Sequence, residues 1–170
     1  MTLEFRIEKK DAFRVVGVVT STTMENNAAM IDIPALWKKV IQQGKHLEIT
    51  GLMNQHPFGL IGISVYNTDT KDPKKFDYYI ACSSDKETPA NMVEYNVPAA
   101  TWAVFPCKRT EISDIEIRIV NEWQQTSGYK VLNSGYDKGE MKSQAPDMEV
   151  HGQNDYAEVW VAVSEKSVNN

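Results

Sequence analysis

YAEVWVAV, Tyr156–Val163, alternates with a period of two. Successive side chains of a strand point to opposite faces. Ala157, Val159, Val161 and Val163 therefore form a purely apolar face, which belongs in a core. Tyr156, Glu158, Trp160 and Ala162 form the other face, an acid between two aromatic rings. Such an acid is either exposed on an edge strand or poorly hydrated and in need of a counter-charge, which a bound cation would supply.

Upstream of this strand, Ser134–Asp155 is rich in Gly, Asp, Lys and Pro and reads mostly as loop, with one strand near Met148–His151; a lid role for it is left open. Ile112, Ile115, Ile119 and Trp123 recur at helical spacing, with Thr110 as a cap and Ser127–Gly128 as the stop. Met92–Val97 and Ala100–Cys107 are strand-like and join around Pro98. The first half repeats this order. Leu3–Ile7 and Ala12–Thr20 read as two strands or one bent strand. A helix over Ile33–Gln43 has Asp32 as its cap, Pro34 in its first turn and Gly44 at its end. Its apolar stripe is Ile33, Leu36, Trp37, Val40 and Ile41. Gly59–Tyr66 and Phe76–Ser83 pair as a hairpin across Asn67–Lys75.

The order is thus β-β-α-β-β twice, over residues 3–84 and 91–164, with no Gly/Ser linker between the copies. The expected fold class is α+β: one domain over residues 1–170, with pseudo-twofold antiparallel sheets, two helices and a ligand groove between the halves.

Composition narrows the function. The 170 residues are 42% hydrophobic and 24% charged, which suits a globular chain with a sizeable core. The net charge is −5, and the pairs Lys9–Lys10, Lys38–Lys39 and Lys74–Lys75 are isolated. No direct nucleic-acid partner is expected, and mild acidity favours cationic ligands. Cys82 and Cys107 form no CxxC pair, and His46, His56 and His151 are scattered, so neither a metal site nor a cofactor is expected. Cys107 has no evident base to make it a nucleophile. GxSxG, GxGxxG and P-loop motifs are absent. The N-terminus has no apolar signal region, and the run Val15–Val19 is far short of the ~20 residues of a membrane span. The expectation is a cytoplasmic protein without membrane contact.

Aromatic residues offer a second thread. Trp37 and Trp123 lie on the helix stripes, and Trp102 and Trp160 lie in strands. Tyr78, Tyr79, Phe58, Tyr66 and Phe105 are close to strands. These rings either fill the core or wall a site for flat cations.

FDYYIACSSD (Phe76–Asp85), VPAATWAVFPCK (Val97–Lys108), NEWQQTSGY (Asn121–Tyr129) and YAEVWVAV occur in that order. Together they resemble the gyrase-inhibitor-like, AraC-type effector-binding small-molecule domains. The third segment resembles the family's Trp, polar residues, Ser-Gly-Tyr pattern, and the last its Glu-Ile-Trp-Ile-Pro-Val strand, with Ala162 where the family often has proline. The resemblance implies a groove between half-sheets and a central carboxylate that meets cationic aromatic compounds. Carried onto this chain, that carboxylate is Glu158, with Trp160 beside it and Trp102 on the central strand. Superposing the repeats puts Tyr79 opposite Glu158. Trp37 would face the groove from the first helix, with Phe58 and Tyr66 as further wall. No residues remain for the helix-turn-helix that family regulators carry, which implies a stand-alone binding module without catalytic residues. Two alternatives follow from relatives: a hydrolase of strained cyclopropane-type electrophiles using Glu158 as base, or a gyrase-interacting module whose protein partner is a topoisomerase or transcription factor.

Overall fold

Each β-rich stretch of the sequence becomes a separate strand in the computed structural model, which describes residues 2–66, 68–69, 71–133 and 144–167. The first half contains β1 (Arg6–Lys10), β2 (Phe13–Thr23), α1 (Ala28–Gln42), α2 (Lys45–Thr50), β3 (Leu60–Val65) and β4 (Lys75–Ser83). The second contains β5 (Val93–Val97), β6 (Ala100–Lys108), α3 (Ile112–Arg118), β7 (Tyr129–Val131), β8 (Asp147–His151) and β9 (Tyr156–Glu165). Beyond Arg118 the third helix continues through a π turn, Ile119–Trp123, and a last α turn, Gln124–Thr126.

The described strands form one antiparallel sheet in the order β1-β6-β9-β8-β3-β4-β2-β5, with β7 on the end of β9. Exchanging the halves, β1 with β5, β2 with β6, β3 with β8 and β4 with β9, leaves this order unchanged. The duplicated β-β-α-β-β unit is therefore present, with one feature the sequence did not suggest. β1 and β2 are not neighbours: β1 pairs with β6 and β5 pairs with β2, so each half lends its first strand to the other. The pseudo-twofold axis runs between β3 and β8, whose middle register pair is Gly62 and Glu149.

Both helices lie on one face of this sheet. α1 and α2 cover Val16, Tyr78, Ile80 and Cys82, and α3 covers Ala103, Phe105, Val159 and Val161 through Ile112, Ile115, Ile119 and Trp123. The opposite face carries Val15, Ile61, Ala81, Trp102, Val104 and Trp160 in one buried cluster. The cluster runs strand by strand from β6 through β9, β8, β3 and β4 to β2. Burial of apolar area on both faces is the main stabilising term.

The first helix differs from its expected bounds. Asn26 and Asn27 take left-handed conformations, which asparagine tolerates, and turn the chain into α1 already at Ala28. Asp32 consequently lies inside the helix, and its carboxylate accepts a hydrogen bond from the Thr22 hydroxyl at 2.8 Å instead of capping. Pro34 is also internal, and Ile41 is 55% exposed, off the buried stripe. Gly44 does end α1 in a left-handed conformation. At the third helix the N-terminal contact comes from Glu111, which accepts from the Lys108 backbone N–H at 2.8 Å, not from Thr110. The expected strand near Met148–His151 is β8. The rest of the lid question falls on residues 134–143, outside the described residues. Among the described residues, no helix is long and apolar enough to cross a membrane.

Candidate functional site

Between α1 and the third helix, above β3 and β8, the sheet leaves a cavity of about 960 Å³. Gly62 in its floor makes room for the Tyr78 ring. A methyl group there would overlap the Tyr78 hydroxyl, and it would sit 3.6 Å from Trp37. Trp37 descends from α1 and donates its indole N–H to the Tyr78 hydroxyl oxygen at 2.9 Å. The same indole meets His151 edge-on at 5.0 Å. Tyr66 and Phe76, 5.5 Å apart, continue the aromatic wall. Met30 and Ile33 from α1 face Ile117 and Val120 from the third helix.

Three carboxyls, Glu116, Asp147 and Glu149, are among the polar groups of the cavity. Glu149 stands on β8 at the middle of the sheet, and Glu116 reaches it from α3. Both side chains line the same cavity. Burial, and then Glu149, push the Glu116 carboxyl up to about 10, so it holds a proton at neutral pH. Burial also raises Asp147, although hydrogen bonds from Asn133 and Tyr66 favour its ionised form; the balance is about 7. His151 is pushed down by burial, which outweighs the pull of Glu149 3.9 Å away, and it is neutral at pH 7. Burial, followed by the charge of Glu149, raises Tyr78, so its phenol stays neutral. No Lys or Arg lines the cavity among the described residues.

Of the residues expected at the site, Trp37 and Tyr66 line this cavity. Glu158 does not line it. It projects from the face of β9 opposite the helices, on the register row of Val150, away from Glu149. Its counter-charge is internal: Arg6 Nη1 lies 2.7 Å from Glu158 Oε2. The Tyr156 hydroxyl and the Trp160 indole N–H donate to the same carboxylate at 2.8 and 3.1 Å. Burial pushes Glu158 up, but these bonds outweigh it and hold the carboxyl below its usual value. Trp160 and Trp102 are fully buried on that face, edge to face at 5.8 Å. They belong to the buried cluster of that face. Tyr79 stacks on Tyr95 at 5.2 Å on β4, three strands from β9. Phe58 is 60% exposed beside His56 and reaches no cavity wall.

Sequence reasoning missed Glu149, Glu116, Asp147 and Gly62, and weighed Tyr78 only as one of several rings close to strands. One signal was available. In DMEVH (Asp147–His151) the polar residues alternate with Met148 and Val150, the signature of a strand with one polar face. Both cysteines are free thiols raised by burial to about 11, which makes them unreactive. Among the described residues, no three His, Cys, Asp or Glu side chains group as a metal site would need.

The family model described as Cass2, integron-associated effector binding protein, matches residues 6–163. The structure of SAV2435 bound to tetraphenylphosphonium is similar, with 17% identity and a TM-score of 0.76 over 95% of this chain and 94% of that one. An integron cassette protein from the mobile metagenome of Vibrio cholerae is 20% identical, with a TM-score of 0.61 over 94% and 95% of the two chains. The EcmrR C-terminal domain is 13% identical, with a TM-score of 0.54 over 98% and 100%. At these identities the likeness speaks for the fold. No curated protein matches the chain.

Proposed function

The chain belongs to the family of integron-associated effector-binding proteins, and on that premise we propose that its effectors are lipophilic aromatic cations held in the cavity between the helices. Glu149 supplies the charge, and Trp37, Tyr66, Phe76 and Tyr78 supply the ring faces. The observation that carries this reading is a cavity lined by three carboxyls and, among the described residues, by no Lys or Arg. Glu149 and Glu116 line this space together with aromatic and aliphatic side chains. A carboxylate in such surroundings gains most from a cation that brings its own apolar cover, because water is excluded on binding. The volume of about 960 Å³ is at the upper end for drug-sized ligands. The fold-level likeness to a protein crystallised with tetraphenylphosphonium points the same way.

The hydrolase alternative required Glu158 as a base. Ionised, ion-paired to Arg6 and off the cavity, that residue is poorly suited to take a proton. Titration of tryptophan fluorescence with tetraphenylphosphonium tests the binding reading. Glu149→Gln must weaken the affinity, and an unchanged affinity refutes the assignment.

A further inference from the structure

We infer that the site takes cations that carry an alkyl chain, with the charged head beside Glu149 and Trp37 and the chain along an apolar opening between α1 and the third helix. The inference rests on the reading of the cavity as a cation site and extends its ligand class from aromatic ions to aliphatic amphiphiles.

The cavity changes character from floor to mouth. Its floor is sheet, where Phe76 and Tyr78 are buried. Trp37 comes down to this floor. Its ring lies 3.6 Å from the place a methyl group on Gly62 would take, and Gly62 is the register partner of Glu149. A compact quaternary ammonium group suits that corner, because the ring face attracts it and the carboxylate supplies the opposite charge.

The mouth is aliphatic. Met30 on α1 is 75% exposed and Ile117 on α3 is 61% exposed, yet both line the cavity. Met24 and Val120 are exposed as well and line it beside them. Isolated apolar side chains on a surface are ordinary. These share the lips of one opening that leads to a carboxylate, and exposed apolar groups gathered in this way mark a surface that a ligand covers. Ser113, Glu116 and Asn121 interrupt the lip on the third helix, whereas Met30, Ile33 and Pro34 make the α1 lip apolar throughout.

A head-and-tail ion matches both ends at once. Trp37 and Met30 are two turns of α1 apart, about 10 Å along the helix and the length of about eight methylene groups. Methionine has no fixed shape, so Met24 and Met30 adapt to a chain of any conformation. A fully buried methylene tightens binding by about fourfold, and a half-covered one by about twofold.

The experiment is calorimetric titration of the full chain with butyl-, hexyl- and octyltrimethylammonium, each below its micelle concentration, and with tetraphenylphosphonium as the reference cation. The wild-type affinity is expected to rise by about two- to fourfold per methylene. Met30→Gln combined with Ile117→Gln changes two exposed side chains, so the fold is kept. That variant is expected to lose about fivefold more affinity for the octyl than for the butyl cation. Octyl glucoside carries the same chain without the charge and is expected to bind at least about 10-fold more weakly than the octyl cation. A wild type that binds tetraphenylphosphonium but gains nothing with chain length overturns this inference alone. So does an equal loss for the butyl and octyl cations in the double variant, or octyl glucoside bound as tightly as the octyl cation. Failure to bind any of these cations overturns the cation reading and this inference with it.

Discussion

Replacing Glu149 by glutamine keeps the side-chain shape and removes one charge from the cavity. A tetraphenylphosphonium ion carries its charge behind phenyl rings, so charge-to-charge approach is about 5 Å. At an effective dielectric of about 20 this separation is worth about 3 kcal/mol, or about 100-fold in affinity. Glu116 bounds the loss from below, because it can ionise for the cation at the cost of its burial. The expected loss for Glu149→Gln is therefore about 10- to 100-fold, with the double variant at the upper end. Glu158→Gln is the contrasting perturbation. That carboxylate lies on the other face and is already neutralised by Arg6. Its removal leaves Arg6, Tyr156 and Trp160 without their ionised acceptor and destabilises the fold by about 1–3 kcal/mol. The cation affinity should change by less than about twofold. Fluorescence quenching gives the affinities and urea unfolding the stabilities. A larger affinity loss in Glu158→Gln than in Glu149→Gln would refute the placement of the site.

Two further outcomes follow. Glu116 keeps its proton in the folded chain up to about 10, whereas its ordinary value is 4.5. Between those values folding takes up a proton, so this group's contribution to stability falls as pH rises. Glu116→Gln removes that slope. Its stability advantage over wild type should grow between pH 5 and pH 8, by at most about 4 kcal/mol, and urea unfolding that shows the same difference at both pH values contradicts it. Gly62→Ala puts a methyl group against the Tyr78 hydroxyl and forces Tyr78 away from the Trp37 indole. It should cost about 1–3 kcal/mol of stability and lower cation affinity; wild-type thermal unfolding together with wild-type affinity would show that the floor does not need glycine.

The fold was legible because its signals are local and repeated. Alternation marks β9, the Ile112–Trp123 spacing marks the third helix, and the same order of elements occurs twice. What was not legible is long-range pairing. Glu158 looked like an acid without a partner because Arg6 stands 152 residues away, and it arrives only because β1 crosses to pair with β6. Trp102 and Trp160 looked like groove rings because period-two alternation fixes which residues share a face, not which face the helices cover. Trp37 was found at the cavity because it belongs to α1 itself. Glu149 was hidden in a short strand beside a loop-like stretch. Glu116 was hidden next to an apolar stripe, where only the position of the sheet decides whether a carboxyl meets water or another acid.

The central claim is that the cation sits between the helices, over Glu149, and not on the Glu158 face. A crystal structure of the chain with tetraphenylphosphonium measures this directly. The account predicts phosphorus in the cavity beside Glu149, with phenyl rings against Trp37 and Tyr66. Phosphorus beside Glu158, with the Arg6 ion pair opened, would contradict it.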